Sequence, residues 1–228
     1  MNSSISKKYK KIDFFIIALF LVSLLVVGGT YAYISTSLTI SNGNYNTKTT
    51  CLNVTYNITN DDGSLPITGP LFPSTGPSGG IFGKVSLKIN DSCSITGLGT
   101  LTLNVTTGSD ILFQTVSGHC ENSQTLETIP SYTDSSSCNA QTNYKWVTNG
   151  TALKYAIYNT SSISDAVPLS VGYLNSTSSI DIYKDISVTA IQSNFYVYIW
   201  LDGYVSDNSY ANIAFAGNIS ASVEQVDS

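Results

Sequence analysis

Apolar residues that return at every second position govern what this chain can fold into. Leu52, Val54, Tyr56 and Ile58 alternate with Asn and Thr, and Val85, Leu87 and Ile89 follow the same rule. So do Leu101, Leu103 and Val105; Leu153, Tyr155 and Ile157; Val167, Leu169, Val171 and Tyr173; and Ile186, Val188 and Ala190. The last run is Ile213, Phe215, Gly217, Ile219, Ala221 and Val223. Successive side chains of a strand point to opposite faces, so each run can bury one face and wet the other. The runs are rich in β-branched and aromatic residues, and Gly, Asn, Asp and Ser separate them. Past residue 33 no stretch carries a convincing helical period. The expectation is an all-β chain, an antiparallel two-sheet sandwich or jelly-roll.

One run departs from the rule. Phe195 to Leu201, FYVYIWL, is apolar on both faces. A central strand covered on both sides reads this way. An exposed aromatic face formed by Tyr196, Tyr198 and Trp200, used to bind sugar or a partner, is the other reading. Burial is favoured, because large aromatic side chains serve packing first.

The N-terminus has a different character. Lys7, Lys8, Lys10 and Lys11 precede Phe14 to Val27, in which Ser23 is the only polar residue. A basic stretch, an apolar stretch and a small-residue end form the pattern of an export signal. Lysines retained inside orient the remainder of the chain outward. Residues 1–32 therefore read as a signal peptide with cleavage between Ala32 and Tyr33. The alternative is a hydrophobic anchor helix over 13–33, long enough to cross a bilayer. Residues 33–228 read as a single extracytoplasmic domain, secreted, at the cell surface, or tethered to the plasma membrane.

Composition narrows the function classes. The 228 residues carry 10 Lys+Arg and 15 Asp+Glu, a formal charge of −5, and only 11% are charged. All ten basic residues are Lys. No basic patch can be assembled from so few scattered lysines, which argues against nucleic acid as a partner. Beyond residue 32 there remain 6 Lys against 14 Asp+Glu, a net of −8. Cys51, Cys93, Cys120 and Cys138 all follow the signal, and an even count in an exported chain favours two disulfides. Three connectivities are open. Cys120–Cys138 with Cys51–Cys93 is favoured, since the first closes a polar loop and the second ties two strand regions. Neither Cys-x-x-Cys nor a His at metal spacing occurs, so no metal or cofactor is expected.

Two segments interrupt the strands. Residues 60–83 hold four of the six prolines and read as a long loop or crossover; residues 117–143 read as a polar insertion stapled by Cys120 and Cys138. Leu65-Pro66-Ile67-Thr68-Gly69 matches the sortase pattern L-P-x-T-G, but it lacks the C-terminal position, apolar stretch and basic tail that wall sorting needs. It reads as a Pro/Gly turn. Gly76-Pro77-Ser78-Gly79-Gly80 matches the nucleophile elbow, which requires a strand-to-helix turn and a His base. The only His, His119, reads as a solvated loop residue, so no catalytic residues are assigned. Asn-x-Ser/Thr sequons at Asn2, Asn53, Asn57, Asn90, Asn104, Asn149, Asn159, Asn175 and Asn218 follow from the Asn, Ser and Thr content. Asp61 with Asp62, and Asp202 with Asp207 and Asn208, lack the spacing of a Ca²⁺ loop and read as turns.

Thr30-Tyr31-Ala32-Tyr33 after the apolar signal, the Ser/Thr/Asn/Tyr-rich body, and the closing Trp200-Leu201-Asp202-Gly203-Tyr204 through Asn208-Ser209-Tyr210 resemble exported proteins of low-GC Gram-positive bacteria. The signal and body are similar, more distantly, to the camelysin and TasA-like family of surface and biofilm-matrix proteins. That resemblance implies a jelly-roll subunit, in some members polymerised into fibres by donor-strand exchange. The donor implied is Tyr33 to Ser41, with Ile34, Leu38 and Ile40 as apolar anchors entering an incomplete sheet of the next subunit. The functional expectation is a non-catalytic surface or matrix protein that self-associates or joins other surface proteins. The alternative is a membrane-anchored monomeric module for adhesion to a glycan or protein ligand.

Overall fold

The computed structural model describes residues 38–39, 52–57, 64–91, 93, 96–106, 110–205 and 213–226. The chain divides into two compact units, Met1–Leu38 and Thr39–Ser228, and nearly every described residue belongs to the second.

Strands dominate. In chain order they are β1 (Leu38–Thr39), β2 (Leu52–Tyr56), β3 (Leu65–Pro70), β4 (Pro73–Ser74) and β5 (Ile81–Ile89). Next come β6 (Thr96–Val105), β7 (Thr115–Val116), β8 (His119–Asn122), β9 (Tyr144–Val147) and β10 (Gly150–Thr151). The last are β11 (Leu153–Tyr158), β12 (Ser170–Leu174), β13 (Ser179–Val188), β14 (Ser193–Asp202) and β15 (Ala214–Val226). One short α-helix, α1 (Ser135–Asn139), is found among the described residues.

Two larger sheets carry the fold. The first has the order β1-β15-β6-β13, with β3 also on β15; the second has the order β12-β11-β14-β5-β2. Among β2, β3, β5, β6 and β11 to β15 the pairings are antiparallel, whereas β4 runs parallel to β14. β7–β10 and β8–β9 form two small ribbons. The alternation explains the core. Leu101 and Leu103 of β6, Phe215 and Ile219 of β15, Val85 and Leu87 of β5, and Val197 and Ile199 of β14 all join one buried cluster. That cluster therefore draws from both large sheets.

The second sheet is covered on its other face as well. Ala156, Tyr158, Tyr198 and Trp200, at the alternate positions of β11 and β14, are buried with Leu126 in a second cluster. This double cover is why FYVYIWL is apolar on both faces, and every residue of β11 is buried.

Two departures from the expected elements have clear causes. Leu65–Pro70, expected within a loop, is β3, with Leu65 and Ile67 buried against Gly217–Ile219 of β15. Pro66 and Pro70 are compatible with it because, among the described residues, β3 pairs on one side alone, with β15, and a missing N–H on the other side breaks no ladder. Gly83 on β5 leaves room for this strand, since a Cβ there would collide with the Leu65 side chain. The second departure is β13, which begins at Ser179, well before the Ile186–Ala190 run. Its register shifts between Asp181 and Tyr183 and again between Tyr183 and Ile186, and Asp185 has φ 56°. A bulge of this kind resets the face of each side chain and erases the period-two signature.

Candidate functional site

The segment expected as a stapled insertion is built on alternation too. On β8, Cys120 and Asn122 point one way, His119 and Glu121 the other. Cys120 is bonded to Cys138 of α1, with Cα atoms 5.7 Å apart. Asp134 caps that helix by accepting from the N–H groups of Ser136 and Ser137 at 3.0 and 2.9 Å. Asn139 Oδ1 accepts from Trp146 N at 2.9 Å, fixing α1 to β9. His119 and Glu121 are left facing the second sheet, and both are buried.

The sheet supplies the partners. Register aligns Tyr173 of β12, Lys154 of β11 and Trp200 of β14 in one row, and Asp202 follows Trp200 on the same face. Lys154 and Asp202 are both fully buried. Lys154 Nζ lies 2.9 Å from Glu121 Oε2 and 2.8 Å from Asp202 Oδ2, and it donates to the Leu126 carbonyl at 2.9 Å. His119 Nε2 lies 3.0 Å from Asp202 Oδ2 and 3.7 Å from Glu121 Oε2. The two contacts to Oδ2 are at ion-pair distance but outside hydrogen-bond alignment. Asp202 Oδ1 instead accepts two aligned hydrogen bonds, from Thr128 Oγ1 and Tyr204 N, each at 2.8 Å. Lys145 Nζ reaches Glu121 Oε1 at 3.0 Å from a half-exposed position, and the Tyr173 hydroxyl donates to the same oxygen. The His119 ring stacks on Tyr204 with centroids 4.9 Å apart.

Electrostatics follow from this packing. Burial alone raises a carboxyl, but for Glu121 the His119 contact, the Lys154 charge and the Tyr173 hydroxyl prevail and hold it at about 2. Asp202 behaves alike: burial raises it, and His119, Lys154 and the Tyr204 N–H together bring it well below the usual carboxylate range. Burial lowers His119, yet the contacts with Asp202 and Glu121 outweigh that and leave it raised. Tyr173 is pushed up by burial and by its bond to Glu121.

His119, Glu121 and Asp202 offer atoms within 4.8 Å of one another, close enough for a metal ion. Lys154 already occupies the position between the two carboxylates, so a metal would have to displace a fully buried ammonium. The chemistry available is that of an amine held between two carboxyls.

The residues singled out from sequence fall in several places. Cys120–Cys138 is formed, and Cys93 is also disulfide-bonded. Cys51, Ala32, Tyr33, Ile34 and Ile40 lie outside the described residues, while Leu38 begins β1. Trp200 is fully buried, Tyr198 is 8% exposed, and half-buried Tyr196 has Lys84 Nζ 5.8 Å from its ring centroid. Ser78 sits exposed on a 3-10 turn, Pro77–Gly79. His119 is corrected from a solvated loop residue to a buried one on β8, because alternation from Cys120 turns it toward the sheet. Asp202, read as part of a turn, is likewise buried at the end of β14. Glu121, Lys154, Thr128 and Tyr173 were not singled out. The available signal was Lys154 itself, a lone charge in the otherwise apolar LKYAIY.

A second feature is an open cleft of about 380 Å³, lined in part by Asn159, Tyr183, Ser187, Gln192, Asn194 and Phe195. Gln192 Nε2 and Ser86 Oγ both donate to Asn194 Oδ1 there. No known protein family, curated protein or solved structure matches the chain.

Proposed function

We propose that this chain is an exported, non-catalytic surface or matrix protein that associates with copies of itself or with other surface proteins. In this reading its two large sheets form a sandwich of jelly-roll type, preceded in the chain by an N-terminal hydrophobic helix. Assembly proceeds by donor-strand exchange, with Tyr33–Ser41 as the donor. The observation that carries this is that residues of the donor segment stand beside β15: Leu38–Thr39 form β1, next to β15 in the first sheet, while among the described residues β3 pairs with Ala214–Ile219 of the same strand. Pairing of this segment with a sheet strand is what strand addition uses, and it gains affinity from main-chain hydrogen bonds. The Cys120–Cys138 disulfide supports an oxidising compartment.

Negative-stain microscopy of residues 33–228 at rising concentration tests the reading. Regular filaments are expected, and deletion of 33–41 should abolish them while leaving the far-UV circular dichroism unchanged. Filaments that survive the deletion, or their absence at every concentration, would count against it.

The open cleft favours a second reading, a membrane-anchored monomeric module for adhesion. Neutral amides beside the edges of Tyr183 and Phe195 suit sugar hydroxyls better than a charged ligand. That module would appear as uniform small particles and would lose glycan binding on Gln192→Ala.

A further inference from the structure

We infer that Lys154 and Asp202 become joined by an intramolecular amide bond, with Glu121 relaying the protons. The modification lies within one chain and stands apart from any mode of assembly. Lys154 Nζ is 2.8 Å from Asp202 Oδ2, so the carboxyl carbon is one bond further on. The two oxygens of Asp202 have different surroundings. Oδ1 is held by two neutral donors, Thr128 Oγ1 and Tyr204 N, at 2.8 Å each. That is the arrangement that stabilises negative charge developing on a carbonyl oxygen under attack. Oδ2 faces Lys154 and His119, the groups a departing oxygen needs beside it. Glu121 Oε2 touches Lys154 Nζ at 2.9 Å, which puts a carboxylate on the nucleophile itself.

The step balances without a co-reactant. A proton passes from the Lys154 ammonium to the Asp202 carboxylate, directly or through Glu121, leaving a neutral amine and a neutral acid. The amine lone pair attacks Cγ, and Oδ1 carries the charge of the tetrahedral intermediate. Glu121 accepts a proton from nitrogen and returns it to Oδ2, which leaves as water. An ammonium and a carboxylate thus become one amide and one water, with no change of oxidation state. Burying two charges is costly, and a neutral amide removes that cost. Holding amine and carboxyl in contact supplies an effective molarity on the order of 10⁵–10⁸ M.

Mass spectrometry of the full chain, purified in detergent, reduced and alkylated, tests the inference. The polypeptide mass, referred to the N-terminus found by peptide mapping, should fall one water short of the sequence. Tryptic digestion should yield a branched peptide joining the Lys154 and Asp202 segments, with no cleavage after Lys154. Lys154→Arg, which keeps the charge, and Glu121→Gln should each restore the missing water and give linear peptides. A wild-type chain at full mass, with Lys154 and Asp202 in separate linear peptides, would overturn the inference and leave an ion pair only. Because the wild-type measurement needs no variant, it decides the question even where a substitution prevents folding. Branched peptide at undiminished yield in Glu121→Gln would remove the assigned relay.

Discussion

Lys154 is the residue on which the second sheet and the disulfide-stapled segment meet. Its ammonium is fully buried and contacts Glu121 of β8, Asp202 of β14 and the Leu126 carbonyl. Removing one partner of a buried charge set leaves the others uncompensated, at about 3–5 kcal/mol. Relative to a chain in which Lys154 and Asp202 are unjoined, Lys154→Met should lower stability by about that much in urea unfolding, and a loss under about 1 kcal/mol would contradict the role. With Lys154 and Asp202 unjoined, pH dependence comes from the surrounding groups. The depressed Glu121 and Asp202 contribute fully above their unfolded values of 4.5 and 3.8, and that contribution fades as pH falls toward their folded values. The raised His119 contributes fully below 6.5, and its share is lost as pH rises through its folded value. Melting temperature should therefore peak between pH 4.5 and 6.5, where all three contributions coincide. His119→Gln should flatten the alkaline side. An amide at Asp202 would make it shallower as well, because one of the two carboxylates that raise His119 is gone and Glu121 alone remains.

At the scale of elements, the Cys120–Cys138 bond across 18 residues holds α1 to β8, and the charge set, with Leu126, holds this segment to the second sheet. A loop of that length is worth about 3 kcal/mol by chain entropy. Cys120→Ala with Cys138→Ala should cost about that much, and hydrogen exchange should show the loss first in 119–147. Uniform loss across both large sheets would mean the segment is integral to the core. Legibility from sequence varied between elements for physical reasons. β6 and β15 follow simple alternation because one face of each joins the buried core, whereas β11 alternates in sequence although both of its faces are buried, its second face carrying Lys154. β14 was readable as a doubly covered strand from its apolar residues on both faces. β3 was hidden because Pro66, Gly69 and Pro70 carry turn chemistry, which a strand paired on one side alone tolerates. Half of β13 was hidden by its bulge. The charge set was the least legible part. Glu121 and Lys154 are 33 positions apart, Thr128 and Asp202 are 74 apart, and no local pattern connects such pairs.

For the whole molecule, net charge opposes the proposed assembly. Residues 33–228 carry 6 Lys and 14 Asp+Glu, a net of −8, so identical subunits repel one another. Strand addition gains its energy from main-chain hydrogen bonds and apolar anchors, which salt leaves largely intact. Repulsion between exposed charges, by contrast, weakens as the Debye length falls from about 30 Å at 0.01 M to about 8 Å at 0.15 M salt. Light scattering at fixed protein concentration should therefore rise between those two conditions, and the critical concentration should fall. The direction of the change is the discriminating feature. A subunit interface held by complementary surface charges would be weakened by the same salt, so scattering that falls would point to ion pairing rather than strand addition. Deleting 33–41 should remove the salt response together with the assembly, since the residual acidic surface has no strand with which to close the gap.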